Sequence, residues 1–185
     1  LAVSLGHIHL AKVLVESGAD IEGGNSLEQT PLMTAASGGR LEITKWLVEQ
    51  GANIERPSHD GKTALVFAAA QGHLDVVTFL AERGANVDVV SHDECTPLNC
   101  AAHWGHLDVV KLLIERGANI HYKDSLGWTA LWYAVKGGRL EVVKLLVERG
   151  SGFHEPNTLG LRPVKIASVH GQVEVLRFLI NLGAE

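Results

Sequence analysis

Cys95, Cys100, His103 and His106 stand close together in the chain, and thiols and imidazoles so near in sequence invite a zinc reading. The spacing argues against it. Residues five apart on a helix point about 140° away from each other, and His106 repeats the Gly-His pair already present at Gly72-His73. No metal and no other cofactor is expected. The His-Leu-Asp runs at His73 and His106 likewise read as a recurring turn, not a catalytic dyad. The chain has no Gly-rich phosphate loop, nucleophile elbow or HExxH, so no enzyme is expected. The remaining chemistry is recognition. Trp104, Trp128 and Trp132 are three of the four tryptophans, and they fall with both tyrosines, Tyr122 and Tyr133, between residues 104 and 133. Such side chains dominate binding energies, at about 2 kcal/mol or more per anchor on truncation.

Such residues need elements to position them, and the composition indicates which. In 185 residues, hydrophobic types make 46% and charged types 20%, a balance that excludes intrinsic disorder. The net charge of −5 gives no pull toward nucleic acid or anionic membrane. No apolar run reaches the ~18 residues of a membrane span. Two cysteines cannot build a disulfide framework, and free thiols fit a reducing compartment, cytoplasmic or nuclear.

The 20 glycines carry the organisation. Gly18, Gly51, Gly84, Gly117, Gly150 and Gly183 recur every 33 residues, as do Gly6, Gly39, Gly72, Gly105, Gly138 and Gly171. Thr30, Thr63, Thr96 and Thr129 keep the same step, with Arg162 in the fifth place. Within each unit two short helices are expected. Thr63 opens the first as an N-cap and Gly72 ends it, and an amphipathic second helix runs from Leu74 to Gly84. Ala68-Ala69 is small because helices must approach there. A two-helix unit cannot close a core alone, so units must stack.

Thr30-Pro31-Leu32, Thr63-Ala64-Leu65, Thr96-Pro97-Leu98 and Thr129-Ala130-Leu131, with Gly72-His73-Leu74 and Gly84-Ala85-Asn86, resemble the ankyrin repeat signature. The resemblance covers the whole chain. It implies an all-α solenoid of helix-turn-helix units with hairpin-like fingers, stacked in a curved array. The repeats divide as a partial unit at 1–24, full units at 25–57, 58–90, 91–123 and 124–156, and a degenerate unit at 157–185. It also implies protein recognition through finger tips and the inner helix surface. The family's usual His after Thr-Pro-Leu is replaced by Met33, Val66, Asn99, Trp132 and Lys165, so its hydrogen bond is expected to be missing. Gly150-Ser151-Gly152-Phe153 departs furthest from the pattern, and the junction with the last unit is expected to be the least regular and most mobile. Leu1 aligns with the middle of a first helix and Glu185 follows a rather apolar second helix. The chain therefore reads as a piece of a longer protein whose other domains are further partners.

Steps of four along each first helix place Lys62, Val66 and Ala70 on one inner stripe, then Cys95, Asn99 and His103, then Trp128, Trp132 and Lys136. Trp128 and Trp132 are expected to be exposed or half-exposed, because equivalent places hold Gln29, Lys62, Asn99 and Lys165. Tyr133, Cys100 and Trp46 are expected in the core. The candidate partner-binding site is therefore Trp104, Trp128, Trp132, His103, Cys95 and Lys136, with Lys62 and the finger residues His59, His92 and Asp93. A protein or peptide is the expected partner, without nucleic acid or membrane insertion. Two other readings stay open: an aromatic cage for methylated lysine on a histone-type tail, disfavoured by Lys136 one turn from Trp132, and a structural spacer within a larger scaffold, channel or ligase. Histidines on the inner surface (His59, His92, His103 and His170) would make binding sensitive to mild acidification.

Overall fold

The computed structural model describes residues 2–184 and contains eleven helices and no strand among them. Helix α1 (Ile8–Glu16) precedes five pairs: α2 (Pro31–Ser37) with α3 (Leu41–Glu49), α4 (Ala64–Gln71) with α5 (Leu74–Glu82), and α6 (Pro97–Trp104) with α7 (Leu107–Glu115). The last two pairs are α8 (Ala130–Gly137) with α9 (Leu140–Glu148), and α10 (Pro163–Val169) with α11 (Val173–Asn181). Ahead of α1 the chain forms turns, not the remainder of a first helix that its alignment implies. Leu1 and Glu185, on which the reading of truncated ends rests, lie outside the described residues.

The first helices stack on one another in one layer and the second helices in another, with closer packing in the first layer. The cause is side-chain size. Ala35, Ala36, Ala68, Ala69, Ala101, Ala102, Ala134 and Ala167 are sealed at the first-layer contacts, where a larger group would hold the backbones apart. Leu32, Leu65, Leu98 and Leu131 from the first helices, and Leu47, Leu80, Leu113, Leu146 and Leu179 from the second, complete a core that runs the length of the array. Trp46 is only half-buried against this core, and Lys12 Nζ stands 6.0 Å from its ring. Surface ion pairs form along the second helices, Glu42–Lys45, Asp108–Lys111 and Glu141–Lys144, at 3.2, 3.4 and 2.8 Å. Being exposed, they add little stability.

Each finger closes on a short polar residue whose side chain replaces a strand ladder. Asn25, Asp124 and Asn157 accept backbone N–H groups two and four residues ahead, and Ser58 and Ser91 accept the one four ahead. Neighbouring fingers then join through main-chain bonds, His59 N–H to Leu27, His92 N–H to Asp60 and Thr158 N–H to Leu126. Thr30 and Thr96 cap their helices as expected, accepting from Met33 and Asn99, but the hydroxyls of Thr63 and Thr129 do not. The two that cap are the two followed by Pro.

The hydrogen bond that the absent histidines were expected to supply has a substitute. His73 Nε2 meets Ser37 O at 2.9 Å, and His106 Nε2 meets Ala70 O at 3.0 Å. Arg139 Nε donates to His103 O and Gln172 Nε2 to Lys136 O, both at 3.0 Å. Each side chain belongs to one unit and each carbonyl ends the first helix of the unit before. The glycine ahead of every tether makes room for it: Gly72 takes a φ of +77°, and a Cβ there would run into the His106 ring. A second tie runs through Glu22 to the Asn53 N–H, Glu55 to Asn86 and Asp88 to Asn119. It stops at the junction the sequence marks as irregular, where His121 replaces the acid and Gly152 the asparagine.

Candidate functional site

The inner face is shaped by how each first helix begins. Thr63, Thr96 and Thr129 have extended backbones and the helix starts one residue later. The residue before the cap then folds against the fourth helical residue, the packing known as a hydrophobic staple. In the fourth full unit this brings Trp128 onto Tyr133, with ring centroids 5.5 Å apart. The equivalent pairs are Lys62 with Phe67 and Cys95 with Cys100. They line the inner face together with Ala70, Gln71, His103, Trp104 and Lys136 from the helix ends.

Between α4, α6 and α8 these residues enclose a groove of about 350 Å³, with Asn99 in its floor. At the finger end Lys62 Nζ bridges Asp60 at 3.1 Å and Asp93 at 3.0 Å. Burial opposes the Lys62 charge, but the hydrogen bonds of Asp93 and Asp60 outweigh it and hold the ammonium pKa above its ordinary value. Burial also opposes the Asp93 charge, and hydrogen bonds from Ser91 and Lys62 overcome it, so the carboxyl lies below the usual range. At the other end His103 meets Trp104 edge-on, centroids 5.1 Å apart, and faces Tyr133 at 6.4 Å. Burial, with smaller contributions from Lys136 and Arg139, lowers the His103 pKa. The imidazole therefore stays neutral further into acid than an exposed one.

Six of the ten residues put forward from the sequence line this groove: Lys62, Asp93, Cys95, His103, Trp104 and Lys136. Trp104 is 55% exposed at its rim. Trp128 borders it, half-buried, with Lys136 Nζ 5.4 Å from its ring. His59 and His92 are exposed on the fingers, outside the groove lining.

Trp132 is the clear correction. It is 3% exposed, stacked on Trp128 at 5.7 Å, and it faces a separate cavity with His121, Ser151 and Glu155. The step of four from Trp128 fails because residue 128 precedes the extended cap and is not on the helix. Lys165 at the equivalent place misleads for another reason: no further unit among the described residues covers α10, whereas the next unit covers α8. The same geometry corrects the reading of Cys100 and Tyr133 as core. Both are half-buried in the groove wall, and Tyr133 donates its hydroxyl to Asp124 Oδ2 at 2.7 Å. It also removes the helical-angle argument for keeping Cys95 and Cys100 apart. Phe67, Cys100 and Tyr133, together with Gln71, are lining residues that stripe reasoning missed; the staple spacing is the signal that finds the first three. No group of three or more His, Cys, Asp or Glu placed to share a metal ion occurs among the described residues.

Asn99 carries a cost. It is 1% exposed and its Nδ2 finds no hydrogen-bond partner. The preceding unit holds Val66 in this place, equally buried. Asn99→Val should therefore raise the unfolding free energy by about 1–3 kcal/mol, the penalty of an unpaired buried polar group. Urea unfolding followed by circular dichroism would show it, and an unchanged or lower midpoint would contradict the assignment.

A family model described as ankyrin repeats matches the chain in three overlapping copies, over residues 1–91, 57–124 and 119–185. No curated protein matches it.

Proposed function

The chain belongs to the ankyrin-repeat family, whose members are generally protein–protein interaction modules and typically non-catalytic, and on that premise we propose that it binds a polypeptide partner in the groove between α4, α6 and α8. The observation that carries the reading is Trp104. An indole 55% exposed at the rim of a groove is a costly thing to leave in water, and tryptophan is the residue that most often anchors an interface. An apolar side chain of the partner would lie against Trp104, Phe67 and Tyr133. Polar groups of the partner would reach Asp60 and Asp93 at the finger end and Lys136 at the other. No helix among the described residues is long and apolar enough to cross a membrane. We place the interaction in a reducing compartment, cytoplasmic or nuclear, on the strength of two free thiols facing the groove or its wall.

The aromatic-cage alternative finds little support in this geometry. One face of Trp128 is stacked on Trp132 and its ring already has the Lys136 ammonium near it, so no open cation site exists between them. The test of the main reading is affinity capture with the intact chain and with Trp104→Ala. Partners bound by the first should bind the second at least about tenfold more weakly, with the same circular dichroism. Capture independent of Trp104 would overturn the groove as the site and leave a spacer role.

A further inference from the structure

Cys95 and Cys100 occupy the two staple positions of α6, one before the cap Thr96 and one at the fourth helical residue. The same two positions one unit later hold Trp128 and Tyr133 in ring contact. Both cysteines line the groove, partly buried and with their side chains hydrogen-bonded to each other, and neither is in a disulfide. The repeat geometry thus places two thiols side by side on a solvent-reached surface, which is unlike the isolated buried cysteine of an ordinary core. We infer that Cys95 and Cys100 form a thiol–disulfide exchange site, in which Cys95 attacks a small disulfide of the glutathione type and Cys100 resolves the product.

The surroundings divide the roles. Cys100 faces Cys95 and stabilises its thiolate, burial works against that, and Tyr133 and Lys62 assist while Asp93 opposes; the net effect lowers the Cys95 pKa to about 7. The hydrogen bond to Cys95, then burial and the charge on Cys95, push Cys100 in the opposite direction. A thiolate present near neutral pH is the attacking species in exchange, and a pKa close to ambient pH is the favourable one.

The steps balance. The Cys95 thiolate attacks one sulfur of glutathione disulfide, forming a mixed disulfide and releasing one glutathione thiolate, which takes up a proton. The charge that kept the Cys100 proton in place is then gone. Cys100 loses its proton to solvent and attacks Cys95 Sγ, forming the Cys95–Cys100 disulfide and releasing the second glutathione thiolate. Two protein thiols give up two electrons, and the small disulfide takes them. The chemistry requires no protein partner, so it stands or falls separately from the groove's use in recognition.

Treatment of the reduced chain with glutathione disulfide, followed by intact mass and non-reducing peptide mapping, tests this. The wild type should lose two hydrogens and yield a peptide cross-linked between residues 95 and 100. Cys100→Ser should instead stop at one glutathione on Cys95, and Cys95→Ser should gain none in the same time. Limited alkylation of the unmodified chain with iodoacetamide needs no variant, and should label Cys95 at least about tenfold faster than Cys100 at neutral pH. A stable mixed disulfide on the wild type, disulfide-linked dimers in place of the internal bond, or equal labelling of the two thiols would overturn the inference.

Discussion

Trp132→Ala should cost about 3–5 kcal/mol of unfolding free energy, the range for emptying a large aromatic site in a packed core, whereas Trp104→Ala should change stability by no more than about 0.5 kcal/mol. The two residues differ in burial, 3% against 55% exposed. Trp132 supports more than its own volume. It stacks on Trp128, which in turn packs on Tyr133 in the groove wall, so its loss would loosen the α8 start from beneath. It also faces the segment from Gly150 to Pro156, where the acid-to-asparagine tie of the earlier units is missing and the junction rests on the Thr158–Leu126, Gln172–Lys136 and Lys123–Glu155 contacts. In a stacked array, weakening one junction releases everything beyond it. Trp132→Ala should therefore lower the midpoint and separate the last unit into an earlier transition. Urea unfolding monitored by far-ultraviolet circular dichroism, with Trp104→Ala in parallel, decides the matter. Equal costs for the two variants would mean that Trp132 is not sealed. A binding experiment that combined both substitutions would confuse lost structure with lost contact, and for this reason Trp104 alone is the probe of recognition.

Much of the fold was legible because the period repeats its own evidence. Six glycines in each of two series, alanine pairs and leucines at fixed places fix the helices before any packing is considered, and each unit corrects errors made in another. The groove was only partly legible. Reading Trp128, Trp132 and Lys136 as one stripe assumed a helix running through residue 128, but Thr129 is extended and the helix begins at Ala130. A one-residue change in where the helix starts turned the inward and the sealed positions round, exchanging the roles of Trp132 and Tyr133. The tethers at His73 and His106 were hidden differently. Their partners are main-chain carbonyls 36 residues earlier, and a carbonyl leaves no mark in the sequence. Asn99 was hidden by the same limit: its type shows that it can bond, and only the packing shows that its Nδ2 does not.

Gly72→Ala should cost about 2–3 kcal/mol, of which about 1–2 comes from a Cβ in the left-handed region and about 1 from the lost tether of His106 to Ala70. Gly84 provides the control. Its φ of +87° is as unfavourable to alanine as the +77° of Gly72, yet nothing stands within 4 Å of where its Cβ would be. At Gly72 the His106 ring fills that space. Gly84→Ala should therefore show the conformational part alone, and the difference between the two variants isolates the bond between the second and third full units. A double-mutant cycle sharpens this. His106→Ala should cost about 1 kcal/mol in the parent, but little in a Gly72→Ala background where the ring has already been displaced, since residues that share one contact do not add. Stability measured by urea unfolding on the four chains gives the coupling directly. Equal costs at Gly72 and Gly84, or additive effects at Gly72 and His106, would show that the ring does not hold the units together. The array's cohesion would then rest on the alanine and leucine contacts alone. If the cycle does couple, the repeating Gly-His pair in this chain serves as an interlock: the glycine leaves the space that the next unit's side chain must occupy to reach its carbonyl.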